Sequence, residues 1–199
     1  TPFSEENVTI ETLAQALEGK VFIAGNMKSE IYEYTKEKNV KMIDLLNREE
    51  LVVLNTISTA EGAIQIAMEE TNATIHGSNV LVMGYGRVGK IVAHMLKGIG
   101  ANVYCEARKN VDLAWIKAYD IVINTIPSMV LDAKRLKNLK KECLIIDLAS
   151  NPGGVDRVAS KKEGIKTIWA LSLPGKVAPL TSAEFIRDTI YNILKEMEN

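Results

Sequence analysis

Three glycines, Gly84, Gly86 and Gly89, stand in "VLVMGYGRVGKIVAHM" and pose the first chemical question of this 199-residue chain. At that spacing Gly84 permits a tight turn, Gly86 lets backbone approach a pyrophosphate, and Gly89 allows close helix–strand packing. The implied ligand is a dinucleotide whose phosphates face the amides at a helix start, with Tyr85, Arg87 and Val88 completing the turn. The chemistry would then belong to a nicotinamide, which carries a hydride itself and asks little of the protein. Other catalytic kits are absent from the sequence. His76 and His94 pair with no Cys or carboxylate at a metal-ligand spacing and read as structural or exposed, so no metal is expected. No serine-hydrolase elbow and no P-loop occurs. No catalytic acid or base is assigned.

The choice of dinucleotide rests on "VYCEARKN". An acid just past the second strand would hold the ribose hydroxyls of NAD. Ala107 occupies that place, and Arg108 and Lys109 follow. A guanidinium can fork onto a 2′-phosphate, so NADP is the expected cofactor; Glu106, one residue earlier, leaves NAD open. Three further segments belong at the carboxyl ends of later strands, where open parallel sheets bind ligands. In "NTIPS", Asn124, Thr125, Ile126 and Pro127 are expected at the cofactor. In "DLASNPGGVD", Leu148 and Ala149 join them, while the sharp bend at Asn151, Gly153 and Gly154 offers backbone to a substrate. In "LSLPGKVAPLTS", Lys176 could hold a carboxylate or face water.

These residues need elements to place them. Short β-type runs at 21–24, 40–43, 80–83, 102–106, 120–124, 143–147 and 166–171 alternate with amphipathic stretches. That alternation predicts an α/β, Rossmann-like doubly wound parallel sheet, with the runs near 80, 121 and 144 buried on both faces. Val88, Ile91, Val92, Met95, Leu96 and Ile99 recur at helical spacing, and Gly98 or Gly100 can end that helix. Ser58-Thr59-Ala60-Glu61 and Thr181-Ser182-Ala183-Glu184 read as capping boxes opening two more helices, the first with a stripe of Ala60, Ala63, Ile64, Ala67 and Met68. Glu61 is tempting as an acid or base, but capping accounts for it. The expected division is a partial N-terminal α/β domain at 1–57, a connecting helix at 58–74, and the dinucleotide-binding domain at 75–180. A C-terminal helix at 181–199 is expected to pack back towards the first domain. Because the chain starts at Thr1 rather than Met, a preceding segment is expected.

Composition narrows the class. Hydrophobic residues make up 47% and charged residues 25%, with a net charge of −1. There is no basic field to attract nucleic acid or anionic lipid. No apolar run is read as long enough to span a bilayer, so neither nucleic acid nor membrane is an expected partner. Cys105 and Cys143 lie in strand-like stretches and read as buried, reduced thiols, which points to the cytoplasm.

On "NTISTAEGAIQIAMEETNATIHGSNVLVMGYGRVG", "DIVINTIPSMVL", "LIIDLASNPGGVD" and "GIKTIWALSLPGKVAP", the chain resembles the dipicolinate synthase A family of endospore formers. "FSEENVTI" near the start is similar too, and the family has a further βα segment before it. The resemblance implies an NAD(P)-dependent oxidoreductase in the mother cell of a sporulating bacterium, on a branch of lysine biosynthesis. Working with a flavoprotein-like partner, dipicolinate synthase B, it would act on a hydroxy-tetrahydrodipicolinate or dihydrodipicolinate to give dipicolinate. On that basis a small dicarboxylate is placed near Ser58, Thr59, Glu61 and Gly62 and near the Asn151, Gly153, Gly154 and Lys176 loops. Free amides at the expected Ser58 helix start would suit a carboxylate. A homo-oligomer is expected.

Two departures from the family matter. Only eleven residues separate Arg108 from Asp120, room for a short helix at 111–117 but not for a helix and another strand. The sheet is therefore expected to be shortened, lacking its third strand. Lys176 and Leu180 also differ from the family's usual aliphatic residue and lysine. Two other readings stay open: a methylenetetrahydrofolate dehydrogenase-like enzyme, from "LPGKVAPLTS", and a cofactor-binding protein of a larger complex without turnover of its own.

Overall fold

The computed structural model describes residues 8–36, 38–107 and 118–198. Seven strands alternate with eight α-helices along these residues. β1 (Val21–Ala24) and β2 (Lys41–Asp44) form a two-stranded parallel sheet; β3 (Asn79–Met83), β4 (Asn102–Glu106), β5 (Ile121–Asn124), β6 (Leu144–Asp147) and β7 (Thr167–Trp169) form a five-stranded parallel sheet. The expected strand runs match these to within a residue or two; in β3, β5 and β6, buried on both faces, the apolar run is nearly unbroken. Beside them lie α1 (Ile10–Ala16), α2 (Ser29–Lys36), α3 (Glu49–Glu70), α4 (Arg87–Gly98), α5 (Ala133–Leu136), α6 (Arg157–Glu163), α7 (Leu173–Val177) and α8 (Pro179–Glu198).

The larger sheet has the order β4-β3-β5-β6-β7. This is the doubly wound arrangement in which the strand order reverses between β3 and β5, the switch point where such sheets bind ligands. Among the described residues β4 pairs with β3 alone. The 111–117 helix, like Arg108 and Lys109, falls outside the described residues.

Alternation sorts the central strands between two cores. Val80, Val82, Ile121, Ile123, Leu144 and Ile146 face one side with Ala60, Ala67, Val92, Leu96 and Leu173. Leu81, Met83, Val122 and Ile145 face the other with Leu131, Leu136, Cys143 and Val155. Helices thus cover both faces.

The chain divides into two compact units, Thr1–Val52 with Glu184–Asn199, and Val53–Ala183. In the first, Leu45, Leu51 and Ile193 form a small core with Ile23, Ile43, Phe185 and Ile190. Arg48 bonds Glu196 at 2.7 Å and Glu50 at 3.1 Å, and these two carboxylates raise its pKa.

Four expectations need correction. Neither capping box starts a helix. α3 begins nine residues before Ser58, with Glu49 and Glu50 in its first turn, and Ser58 is buried in mid-helix. Acidic residues at a helix start complement its dipole, and the apolar pattern from Leu51 carries the helix through Ser58. α8 begins at Pro179, where a missing N–H costs nothing, rather than at Thr181. Met68 is exposed and drops out of the α3 stripe, which buries Ala60, Ala63 and Ala67. Cys105 is exposed because β4 is the outer strand; Cys143 is buried, and burial, with the Asp120 charge adding to it, pushes its thiol up to about 12. Finally, α3 is long and apolar enough by composition to cross a membrane, at a mean hydropathy of 1.3 over 18 residues. Within it Ala60, Ala63 and Ala67 are buried along one face, as in the core helix of a globular protein.

At the amino ends of the strands Asp120 ties β3 to β5. Its carboxylate accepts from the Asn79 amide at 2.8 Å and from Lys140 at 2.7 Å. Burial raises its pKa, but the Lys140 and Asn79 bonds outweigh that and hold it below the usual value. A depressed folded pKa contributes stability above the unfolded value, lost as pH falls through the folded one. Asp120→Asn should therefore melt a few degrees below wild type at pH 7, a cost of about 1 kcal/mol for a solvent-screened pair. The gap should narrow below about pH 4 and close at lower pH; melting curves across that range check it.

Candidate dinucleotide and substrate site

The five strands of the larger sheet end on one register line. Glu106 pairs with Met83, Met83 with Asn124, Asn124 with Asp147 and Asp147 with Trp169. Most of the expected site residues leave the sheet just beyond this line.

The first turn is built by its glycines. Gly84 has φ +94°, and its amide donates to the Glu106 carbonyl at 2.8 Å. A Cβ on Gly89 would strike the Gly84 carbonyl, so α4 lies against the turn at a distance only glycine allows. Gly86 is the residue before α4 and has no side-chain cap; a Cβ there would meet open space. The first amides of a helix lack intrahelical acceptors, so this open helix start can receive an anion. Tyr85 is half exposed, with Lys90 Nζ 5.7 Å from its ring centre. The Val88 side chain packs into the core and leaves only its backbone at the turn.

The "NTIPS" loop closes over the same turn. Thr125 donates to the Met83 carbonyl through its amide at 2.8 Å and its hydroxyl at 3.0 Å. A Cβ on Gly84 would collide with that hydroxyl. Asn124 is fully buried. Its amide nitrogen donates to Asp147 Oδ1 at 2.8 Å and to the Ile126 carbonyl at 3.1 Å, while its oxygen accepts from the Ile126 amide at 3.1 Å. The Asn124 side chain is thus engaged within the protein rather than turned to the cofactor as expected. Ile126 packs against the core and Pro127 is exposed.

Asp147, which the sequence does not advertise, organises the third loop. At 1% exposure, its Oδ1 also accepts from the Ala149 amide at 3.1 Å, and its Oδ2 accepts from the Gly154 amide at 2.9 Å. Gly153 (φ +86°) folds over this carboxylate, and a Cβ on Gly154 would strike the Asn124 amide. Trp169 Nε1 donates to the Ala149 carbonyl at 2.8 Å. Leu148 packs into the core, Ala149 is buried, and Asn151 is exposed at the loop tip before a cis peptide to Pro152. One signal for Asp147 is present: Asn124 and Asp147 are the single polar residues ending the apolar runs "IVIN" and "LIID".

The structure treats the remaining candidates differently. Ser58 is buried inside α3, so the free amides expected for a carboxylate do not exist there. The Thr59 hydroxyl donates to the Asn55 carbonyl at 2.7 Å. A Cβ on Gly62 would lie 3.1 Å from Leu173 and Val177, so Gly62 lets α7 approach α3. Glu61 and Lys176 are exposed. Ala107 is exposed, and Arg108 and Lys109 lie outside the described residues. Among the described residues no group of His, Cys, Asp and Glu could hold a metal.

Strand order, glycine turn and register line together define a protein built on the doubly wound, nucleotide-binding plan. No family model matches the chain. Dipicolinate synthase A of Bacillus subtilis (strain 168) is 35% identical over 217 aligned positions, covering the whole chain and 73% of the relative. The crystal structure of dipicolinate synthase A from Bacillus halodurans superposes with a TM-score of 0.88 at 33% identity, covering 98% of this chain and 73% of that one. More distantly, a bifunctional protein FolD of Leptospira biflexa is 26% identical over 65% of the chain and 44% of its own length. The chain belongs to the dipicolinate synthase A family.

The Asp147 bonds make a direct prediction. Asp147→Asn keeps size but replaces one accepting oxygen by a donor, leaving buried amides unpaired. It should lower stability by about 2–4 kcal/mol, measured by urea unfolding. A loss below about 0.5 kcal/mol would show that the carboxylate does not hold these loops.

Proposed function

We propose that the chain is the nicotinamide-dependent oxidoreductase component of a dipicolinate synthase. It would act on a hydroxy-tetrahydrodipicolinate or the dihydrodipicolinate formed from it by loss of water. Family membership supports the substrate class. The observation that carries the cofactor reading is Gly86, open at a helix start beside the close approach of Gly84 and Gly89. A pyrophosphate fits where any Cβ would intrude. When bound, the nicotinamide would accept a hydride from a ring carbon, and the ring would become aromatic as a proton leaves. This chain's part is to bind and orient: α4 amides on the phosphates, Thr125 and the Asp147-held loop fixing the turn's surroundings.

NADP is the proposed cofactor, on Ala107 standing just beyond the register line in place of an acid and on the Arg108–Lys109 pair in the sequence. Dipicolinate synthase B is the proposed partner, a second copy of this chain is proposed as well, and the cytoplasm of a sporulating mother cell is the proposed setting.

Purified protein, alone and with dipicolinate synthase B, given dihydrodipicolinate and NADP or NAD, should show rising absorbance of reduced nicotinamide, faster with NADP. Reduction only with the partner present would indicate a site completed by it; reduction under neither condition would favour a binding role without turnover. Gly86→Ala should leave the melting temperature within about 2 °C of wild type yet weaken cofactor binding tenfold or more, about 1.4 kcal/mol. Gly89→Ala should damage both, because its neighbour is a backbone carbonyl that cannot move aside. Unchanged cofactor affinity in Gly86→Ala would count against the proposed phosphate site.

A further inference from the structure

Beyond the loops already described, the structure holds a cation prepared for a ligand. Arg157 opens α6, three residues after the Asn151–Gly154 bend, and its guanidinium carbon lies 3.9 Å from the centre of the Trp169 ring. Trp169 is itself fixed. It ends β7 opposite Asp147, its Nε1 bonds the Ala149 carbonyl at 2.8 Å, and a Cβ on Gly153 would lie 3.4 Å from that nitrogen. The arginine is therefore stacked on a ring held by the Asp147 loop, at the carboxyl end of the sheet.

Stacking restricts the side chain without consuming its N–H groups, which lie in the guanidinium plane. Among the described residues no carboxylate or carbonyl accepts a hydrogen bond from Arg157, although the arginines at 48, 135 and 187 are each paired with an acid. An arginine held over a ring, with its donors still available, is a preformed fork for a carboxylate. Asn151, exposed at the tip of the same loop, offers a second polar group.

We infer that Arg157, stacked on Trp169, binds one carboxylate of the dicarboxylate substrate and so selects dicarboxylates over monocarboxylates. This rests on the proposed reading of the site and adds a residue that neither the glycine turn nor the resemblance pointed to. Stacking pre-orders the fork and lowers the cost of immobilising a long side chain on binding.

The test is calorimetric titration of cofactor-loaded wild type, Arg157→Ala and Arg157→Lys with pyridine-2,6-dicarboxylate and with pyridine-2-carboxylate. Wild type should prefer the dicarboxylate. Arg157→Ala should lose about tenfold or more for it and little for the monocarboxylate, so that the preference collapses. Arg157→Lys should fall between, keeping charge but not fork. Melting temperatures should stay close to wild type, since the side chain is exposed. Equal losses for both ligands, or none, would overturn the inference while leaving the proposed reaction standing. Wild type that reduces cofactor but shows no preference between the ligands would overturn it too. Wild type that neither binds the dicarboxylate nor reduces cofactor would remove the proposed function first and this inference with it.

Discussion

The candidate site depends on one buried polar pair. Asn124 and Asp147 end adjacent strands at the same register, in contact at 2.8 Å and both almost wholly out of water. A buried amide or carboxylate left unpaired would cost more than a hydrogen bond returns. Here that cost is offset by the first residues of two loops: Ile126 on one side, Ala149 and Gly154 on the other. The loops are held because the pair requires them, and the pair is tolerated because the loops satisfy it. Such a lattice gives a parallel sheet something apolar strands cannot supply, a defined direction for the chain as it leaves the core.

Close approach is the second constraint. The turn between β3 and α4 is compressed until the Gly84 carbonyl fills the space a Gly89 side chain would need, with the Thr125 hydroxyl on the other side. Small residues repeat the device on α3, where buried Ala60, Gly62, Ala63 and Ala67 let neighbouring elements, α7 among them, lie near its axis. Of the three glycines in the turn, Gly86 alone is left open. Compression beside an open point leaves the start of α4 accessible, and the steric demand for glycine falls on Gly84 and Gly89.

What is legible in the sequence follows from the same physics. The central strands are readable almost residue by residue, since burial on both faces erases polar alternation in "VLVM", "IVIN" and "LIID". The glycine turn is readable because its requirements are steric and local. Helix starts are not: "STAE" and "TSAE" have the composition of caps, yet tertiary packing runs α3 and α8 through them. Asp147 escapes notice because a single acid at a strand end looks like a boundary, and its value lies in partners 23 and 7 residues distant. The stack of Arg157 on Trp169 joins residues whose proximity only the β6–β7 register reveals.

The place of β4 also makes sense in these terms. Among the described residues β4 has one neighbour, β3, and the glycine turn lies between β3 and β4 on one side and β5 on the other. The other edge of β4 faces away from the β3–β5 switch point. The turn needs β4 only for the bond from the Gly84 amide to the Glu106 carbonyl, and that bond is present at 2.8 Å. The lattice of Asn124 and Asp147, the Thr125 closure and the Trp169 anchor all lie on the other side of β3. Tyr104 and Cys105 on β4 are exposed to solvent, whereas the contacts that shape the turn lie towards β3 and β5.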